Sequence, residues 1–316
     1  MNDRIGAIKK RLPLIAKTLH CCKERYYIFL GKHYPEKLIK VWYKHKFKRE
    51  IDLINPKTID EKINWMKLHS DISLWTKCAD KIEVRKFVAE RGLGHILNTI
   101  YGVYESADDI DFDALPESFV LKSSNGGGGK QVLIVKNKKD LNIRQTQRIL
   151  NGWLKEEVGY RYYEPQYFAI KPRIIVEKYL KPDEGDGSLK DYKINCFDGN
   201  AYSVVLCSER ILNDSVFFSV YDLEWNWKPN CIQKKYRSNV VYPKPNSLKE
   251  MIEYSHILSK GIPFVRMDWY EINGKPILSE MTFTPGGGFQ HLYSNEYQLE
   301  LGDQLSLPSI SRNKGK

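Results

Sequence analysis

Along the first 22 residues Ile5, Ile8, Leu12, Ile15 and Leu19 recur at spacings of three and four with basic residues between them. This predicts an amphipathic helix that Pro13 would kink. Its apolar stripe would lie either on an anionic membrane face or on the body of the protein. Asn55-Pro56-Lys57-Thr58 opens another helix, with Thr58 and Glu61 spaced as a capping box and Ile59, Ile63 and Met66 on one apolar face. Asp80 is placed to cap a further helix that Gly92 would end. From residue 119 the pattern changes to short β-branched runs, predicting strands at 119–121, 131–135, 173–176, 192–197, 202–206, 264–269 and 277–281. Asp198-Gly199 and Asn273-Gly274 read as hairpin turns. Helices in the first third followed by hairpins predict an α+β protein.

The 316 residues allow about two domains at about 150 residues each. The net charge of +11 invites a nucleic-acid or anionic-surface reading. Residues 1–50 hold fourteen basic and four acidic side chains, a net +10, which leaves about +1 for the other 266. A nearly neutral body argues against nucleic acid, which needs a basic groove through the fold. The six cysteines form no C-x-x-C pair, which suits a reducing cytosol. No apolar run approaches the roughly 20 residues of a membrane span. Residues 12–19 are interrupted by Lys17 and lack a small-residue cleavage site, so no secretory signal is expected. The tail from Ser306 is expected to fray.

The strongest chemical signal is Phe119-Val-Leu-Lys-Ser-Ser-Asn-Gly-Gly-Gly-Gly-Lys-Gln-Val-Leu-Ile-Val135, a strand, four glycines and a second strand. Glycine allows φ > 0 and close backbone approach, so the loop can fold over a ligand and aim N–H groups at phosphate oxygens. Lys122, at the end of the first strand, would meet those phosphates. The bland alternative is a mobile hairpin tip. Neither a Walker loop nor a Rossmann turn is present. A second signal places Arg266 and Asp268 on one strand face and Glu280 and Thr282 on one face of the next. Carboxylates converging with an arginine suit Mg²⁺ carrying a nucleotide; a surface salt bridge is the alternative. A two-residue turn at Asn273-Gly274 would put Asp268 and Glu280 on opposite sheet faces, so the metal reading needs an odd loop, most simply residues 272–274 with Gly274 in the left-handed region. A third segment, Arg173-Ile-Ile-Val-Glu-Lys-Tyr-Leu180, reads as a buried strand, followed by a polar stretch and Asp191-Tyr-Lys193.

The order of these segments resembles the ATP-grasp superfamily, and their wording is similar to its TupA-like branch, associated with teichuronic acid and other surface-polysaccharide genes. Asn55-Pro-Lys-Thr-Ile-Asp-Glu-Lys-Ile-Asn-Trp-Met-Lys-Leu68, Ala79-Asp-Lys-Ile-Glu-Val-Arg85, the glycine loop, Val176-Glu-Lys-Tyr-Leu180, Asp191-Tyr-Lys193, Arg266-Met-Asp-Trp-Tyr270 and Ser279-Glu-Met-Thr-Phe-Thr-Pro-Gly286 carry the likeness. It implies two α+β subdomains gripping ATP after an N-terminal α/β subdomain. The corresponding division is 1–50 a basic helical segment, 51–100 an N-terminal subdomain, 101–180 a glycine-loop subdomain, 181–305 a metal and ATP subdomain and 306–316 a tail. The likeness further implies that Arg85 and Lys122 contact phosphates under Gly126, Gly127, Gly128 and Gly129. Glu177 and the backbone of Lys178 and Leu180 would hold adenine, and Asp191 the ribose, with Lys193 beside it. Asp268, Glu280 and Thr282 would hold Mg²⁺, with threonine where most relatives have asparagine, and Arg266 would steady the transferring phosphoryl group.

The implied reaction is ligation: a carboxylate attacks the γ-phosphate of ATP and an amine then attacks the acyl phosphate. The expected substrates are an amino acid or amine and a carboxylate-bearing sugar or glycan, handled by a cytoplasmic enzyme that touches the inner membrane face through residues 1–22. A glycosyltransferase or assembly factor is the rival, with Asp109-Ile-Asp111 and Asp111-Phe-Asp113 as formal D-x-D matches, and a nucleotide-binding adaptor is a third class. The aromatic stretches 160–167 and 221–227 are candidate sugar-stacking surfaces or core. Lys193, Lys234, Lys235 and Arg237 would attract a uronate or remain solvated charge.

Overall fold

The computed structural model describes residues 13–127, 129–183, 188–208 and 216–308. Its first elements are α1 (Pro13–His33) and α2 (Pro35–Phe47); most of the expected 1–22 helix lies outside the described residues or adds only the start of α1. The Thr58 capping box forms as its spacing predicts, and α3 (Ile59–His69) buries Ile59, Ile63 and Met66. α4 (Ser73–Ala79) and α5 (Glu83–Ala89) follow. Asp80 does not cap α5. Its Oδ1 accepts from the Ile82 N–H at 2.8 Å, closing the turn ahead of the helix, and its Oδ2 takes Arg173 Nη2 at 2.9 Å. Residues 51–99 contribute helices and no strand among the described residues, where an α/β unit was expected.

A four-stranded antiparallel sheet comes next, formed by β1 (Ile100–Tyr104), β2 (Phe119–Ser123), β3 (Val132–Val135) and β4 (Ile174–Lys178) in the order β1-β4-β2-β3, with α6 (Ile143–Trp153) between β3 and β4. Alternation sends Phe119, Leu121, Ile174 and Val176 into a core with Leu150 and Trp153 of α6. It therefore turns Lys122 and Glu177 to the other face. Asp109 and Asp111 lie on the far side of this unit in turns: the Asp111 carboxylate accepts from the Asp113 and Ala114 N–H groups, so the D-x-D matches are turn caps.

The second sheet holds β5 (Asp191–Phe197), β6 (Asn200–Ser208), β7 (Phe217–Tyr221), β8 (Phe264–Ile272) and β9 (Lys275–Thr282) in the antiparallel order β7-β6-β5-β8-β9. α7 (Leu248–Ser259) covers one face, where Trp269 Nε1 donates to Ser255 Oγ at 3.0 Å, and α8 (Asn295–Gln304) packs near α3 in the same core. The aromatic stretch 221–227 is core packing: Tyr221 is fully buried and stacks on Trp225 at 4.1 Å.

The β8–β9 connection corrects the expected loop. Asn273 and Gly274, at φ +50° and +69°, make a two-residue turn that pairs Ile272 with Lys275 and Trp269 with Leu278. A β-bulge at Ser279 then shifts the register, so Asp268 pairs with Glu280 and Arg266 with Thr282. The bulge does what an odd loop would have done, and the two carboxylates share a face.

A third core joins α1 and α2 through Tyr27, Leu30, Leu38, Trp42 and Tyr43 to Phe289 and to Tyr162 and Tyr163. At Gly31 a Cβ would stand 2.0 Å from the Tyr160 carbonyl oxygen, so only glycine lets α1 rest on that segment. No helix among the described residues is long and apolar enough to cross a membrane.

On α3, burial pushes the Asp60 carboxyl up to about 6 from 3.8, although Gln298 Nε2 donates to its Oδ2 at 2.8 Å. A carboxyl with a raised folded pKa favours the folded state most below its unfolded pKa, and that advantage is lost as pH rises through about 6. Asp60→Asn should therefore raise stability by about 1–3 kcal/mol at pH 8 in urea unfolding, with the gain vanishing near pH 4. Equal effects at both pH values would overturn this.

Candidate active site

A cleft opens between the two sheets beside α4 and α5. Lys81, Arg85, Asn98, Lys122, Glu177, Leu180, Tyr270 and Glu280 line it, among others. Lys122 Nζ donates to Glu177 Oε2 at 2.7 Å across β2 and β4. Burial works against the Lys122 charge, but the Glu177 carboxylate overcomes it and raises the pKa. Of the residues expected to touch a nucleotide, Arg85, Lys122, Glu177 and Leu180 thus converge with Glu280.

Lys178 does not. Its N–H donates to the Thr99 carbonyl at 2.9 Å and its carbonyl accepts from Asn98 Nδ2 at 2.9 Å, so its backbone is engaged beside β1 and its side chain is exposed. Arg85 reaches the cleft but spends Nη2 on the Asn98 carbonyl at 2.8 Å. Lys81, which the motif reading passed over, lies under the glycine loop and donates to the Gly126 carbonyl. Burial lowers its pKa, while Glu280 pulls it up. The signal available was its place beside Asp80, whose turn fixes the start of α5.

Within the loop, Gly129 is favoured by its φ of +72°, while a Cβ on Gly126 would stand 2.8 Å from Gln131 Oε1 and displace that side chain. Gly127 faces the Tyr167 ring. Gly128 lies outside the described residues.

The large sheet puts Glu280 into the cleft, and beside it on the same polar face stand Arg266, Asp268 and Lys193, which do not themselves line it. Arg266 grips Asp268 with two hydrogen bonds, Nε to Oδ1 and Nη2 to Oδ2, both 2.6 Å. Lys193 donates to Asp268 Oδ2 and to Asp191 Oδ2, also at 2.6 Å. Lys193 is therefore no solvated charge. Burial would raise the Asp268 pKa, but Arg266 and Lys193 overcome it and hold the carboxyl near 2. Glu280, more open than Asp268, accepts from Thr282 Oγ1 at 2.9 Å and lies 3.8 Å from Arg266. Asp191 is held by Lys193 and does not line the cleft, so the ribose role expected of it needs that pair to open. Among the described residues no three His, Cys, Asp or Glu side chains converge as a metal cage. Glu280 with the Thr282 hydroxyl fits Mg²⁺, which takes one or two carboxylates and completes its shell with phosphate oxygens and water; Asp268 pairs with Glu280 across the strands, but Arg266 and Lys193 hold both its oxygens. Lys234 and Lys235 are exposed, and Arg237 Nη1 donates to the Pro229 carbonyl at 3.0 Å.

A cleft that holds Lys81, Arg85 and Lys122 beside a glycine loop, with Glu177 and Glu280 facing them, has the chemistry to take a polyphosphate. The TupA-like ATP-grasp family model matches residues 61–306, and the chain belongs to that family, whose superfamily comprises ATP-dependent carboxylate–amine ligases. Similar solved structures include D-alanine–D-alanine ligase from Bacillus anthracis complexed with ATP, at 18% identity and TM-score 0.45 over 72% of this chain and 65% of that one. The same enzyme from Helicobacter pylori has 15% identity and TM-score 0.43 over 80% and 68%. N5-carboxyaminoimidazole synthetase from Staphylococcus aureus complexed with ADP has 12% and 0.40 over 86% and 58%. The chain thus spans about two thirds of the length of the D-alanine ligases. No curated protein matches it.

Removing Lys193 would leave two buried carboxylates short of a partner. Lys193→Met should cost about 3 kcal/mol at pH 7 in urea unfolding. Asp268, with its lowered pKa, stabilises above its unfolded pKa and loses that contribution as pH falls toward 2, so the cost should shrink over that range. A cost independent of pH would contradict the assignment.

Proposed function

We propose that this protein is an ATP-dependent ligase that joins an amino acid or amine to a uronic acid of a surface polysaccharide or its precursor through an amide. The observation that carries the ATP half is the convergence of Lys81, Lys122 and Glu280 on one cleft beneath the glycine loop. The glycan half rests on the family's association. Adenine would lie toward Glu177 and Leu180, and the triphosphate under Gly126, Gly127 and Gly129 with Lys81 and Lys122 against it. Asp268 and Glu280, with Thr282, would hold Mg²⁺, which when bound neutralises phosphate charge. Arg266 would face the transferring phosphoryl group, keeping its bond to Asp268 as its support. Such a site works by positioning and charge neutralisation, so no nucleophilic serine or cysteine is required.

In this reading the four-stranded and five-stranded sheets are the two gripping units, and α1 to α5 form the segment that precedes them. We also propose a cytoplasmic enzyme held at the anionic inner membrane face by its N-terminal segment. The +10 charge of residues 1–50 supports this, as do the exposed Leu19, Tyr26 and Phe29 of α1.

ADP release from Mg²⁺-ATP, measured with a uronic-acid oligosaccharide across a panel of amino acids, should fall at least 100-fold in Lys122→Ala and Glu280→Ala. Lys81→Ala should raise the KM for ATP more than Arg85→Ala. Turnover indifferent to Lys122 and Glu280 would sink the ligase reading. Deleting residues 1–22 should move the protein from membrane to soluble fractions; an unchanged distribution would leave the charge without that role.

A further inference from the structure

Polar residues continue past the nucleotide cleft. Glu280 and Thr282 alternate along β9, and two residues further Thr284 presents its hydroxyl to a segment that the family motifs do not include. Thr284 Oγ1 donates to Glu164 Oε1 at 2.7 Å and accepts from Gln166 Nε2 at 2.7 Å. Both partners sit between α6 and β4, in a stretch fixed from several sides. Trp42 Nε1 donates to the Arg161 carbonyl at 2.8 Å, and Lys67 Nζ donates to the Tyr162 and Gly287 carbonyls at 2.9 and 2.7 Å. Tyr167, in the same stretch, approaches the glycine loop: a Cβ on Gly127 would stand 3.4 Å from its hydroxyl. Burial, then the Glu164 and Glu280 carboxylates, raises the Tyr167 pKa well above 10, which places its phenol within the field of both acids. Glu164 therefore stands where the phosphate end of the cleft gives way to whatever the phosphoryl group is passed to.

The hydrogen-bond inventory there is one-sided. Thr284 has spent its proton on Glu164, and Gln166 gives one of its two amide N–H groups to Thr284. Gln166 Oε1, on a residue only 1% exposed, is buried without a partner, and among the described residues Glu164 accepts a hydrogen bond at Oε1 alone. The nearby Lys67 ammonium gives its bonds to Asn64 Oδ1 and the two carbonyls, not to Glu164. A buried acceptor lacking a donor, beside a carboxyl whose pKa burial raises and Lys67 lowers, calls for a ligand with N–H groups and a positive charge. A carboxylate would meet the Glu164 charge and the Gln166 carbonyl, with a single spare Gln166 N–H to receive it.

We propose that Glu164 and Gln166, held by Thr284, form an ammonium-binding subsite that takes the amine substrate beside the phosphate end of the cleft. This deepens the ligase reading and rests on it. A primary alkylammonium would place one N–H on Glu164 and another on Gln166, so the amine's selection would reside in the 160–168 stretch. Glu164 and Gln166 are here binding residues for that amine; Thr284, bonded to both, positions them.

The test uses the full chain with Mg²⁺-ADP present and follows L-alaninamide and ethanolammonium by saturation-transfer NMR, with acetamide and acetate as neutral and anionic comparators. Both amines should bind the wild-type chain and the comparators should not. Glu164→Gln keeps the acceptor for Thr284 but removes the charge, so it should weaken amine binding at least tenfold while leaving the Mg²⁺-ADP Kd, read by calorimetry, within twofold. An intact Mg²⁺-ADP Kd together with amine binding that is absent from the wild type, or equal in Glu164→Gln, would overturn the subsite alone. A wild-type chain that fails to bind Mg²⁺-ADP would overturn the ligase reading and the subsite with it.

Discussion

Asp268 sits almost wholly out of water at the centre of the larger sheet, and its charge dictates what surrounds it. A lone buried carboxylate would cost several kcal/mol or take up a proton. Arg266, two residues earlier on the same strand, and Lys193, directly opposite on β5, prevent both. The arrangement ties β5 to β8 across their shared polar face and keeps Asp268 ionised. Arg266 and Lys193 are answered within the sheet by Asp268 and Asp191, which leaves Glu280 as the acid that this sheet puts into the cleft. Lys81, Arg85 and Lys122 against Glu177 leave the other lining with two positive charges. A cleft polarised in this way suits a polyphosphate lying against the lysines with a cation on its far side.

Seven of the nine strands among the described residues, and α3, were legible in the sequence because their signals are local, whereas β7 and the helices α2, α4, α6, α7 and α8 were not read. The Thr58 capping box, the strand runs and the Asp198-Gly199 and Asn273-Gly274 turns each depend on a few neighbouring residues. β1 was not, since Gly102 and the exposed Tyr101 and Val103 blur its pattern. The Ser279 bulge was illegible for a different reason. Serine carries no bulge signal, and parity counting from a two-residue turn puts Asp268 and Glu280 on opposite faces unless a residue is skipped. The observed pairing shows that the carboxylates' common face, rather than an unbroken ladder, is what this hairpin preserves.

Site residues divide along the same line. Lys122 and Glu177 follow from strand alternation once the strands are drawn. The choice between Lys81 and Arg85 does not, because it depends on how the Asp80 turn aims two successive cations. Asp80 holds Ile82 from one oxygen and Arg173 from the other, which fixes Lys81 beneath the Gly126 carbonyl and leaves Arg85 to the Asn98 carbonyl. Lys178 fails for an equally nonlocal reason: its backbone pairs with residues that precede β1.

The basic N-terminus also changes meaning once its packing is known. Some of its charge is structural. Arg49 pairs with Glu61 of the capping box at 2.6 Å, and Glu24 with Arg161 at 3.1 Å. Through Trp42 and Gly31 the same helices hold the stretch that carries Glu164 and Tyr167. A long excursion between α6 and β4 would lose its geometry without such support, because ordering each residue costs about 1–2 kcal/mol in backbone entropy. The segment that looked from its charge like an appendage is thus a brace for one end of the site. A contact made by the exposed face of α1 would therefore bear on the stretch that carries Glu164 and Tyr167.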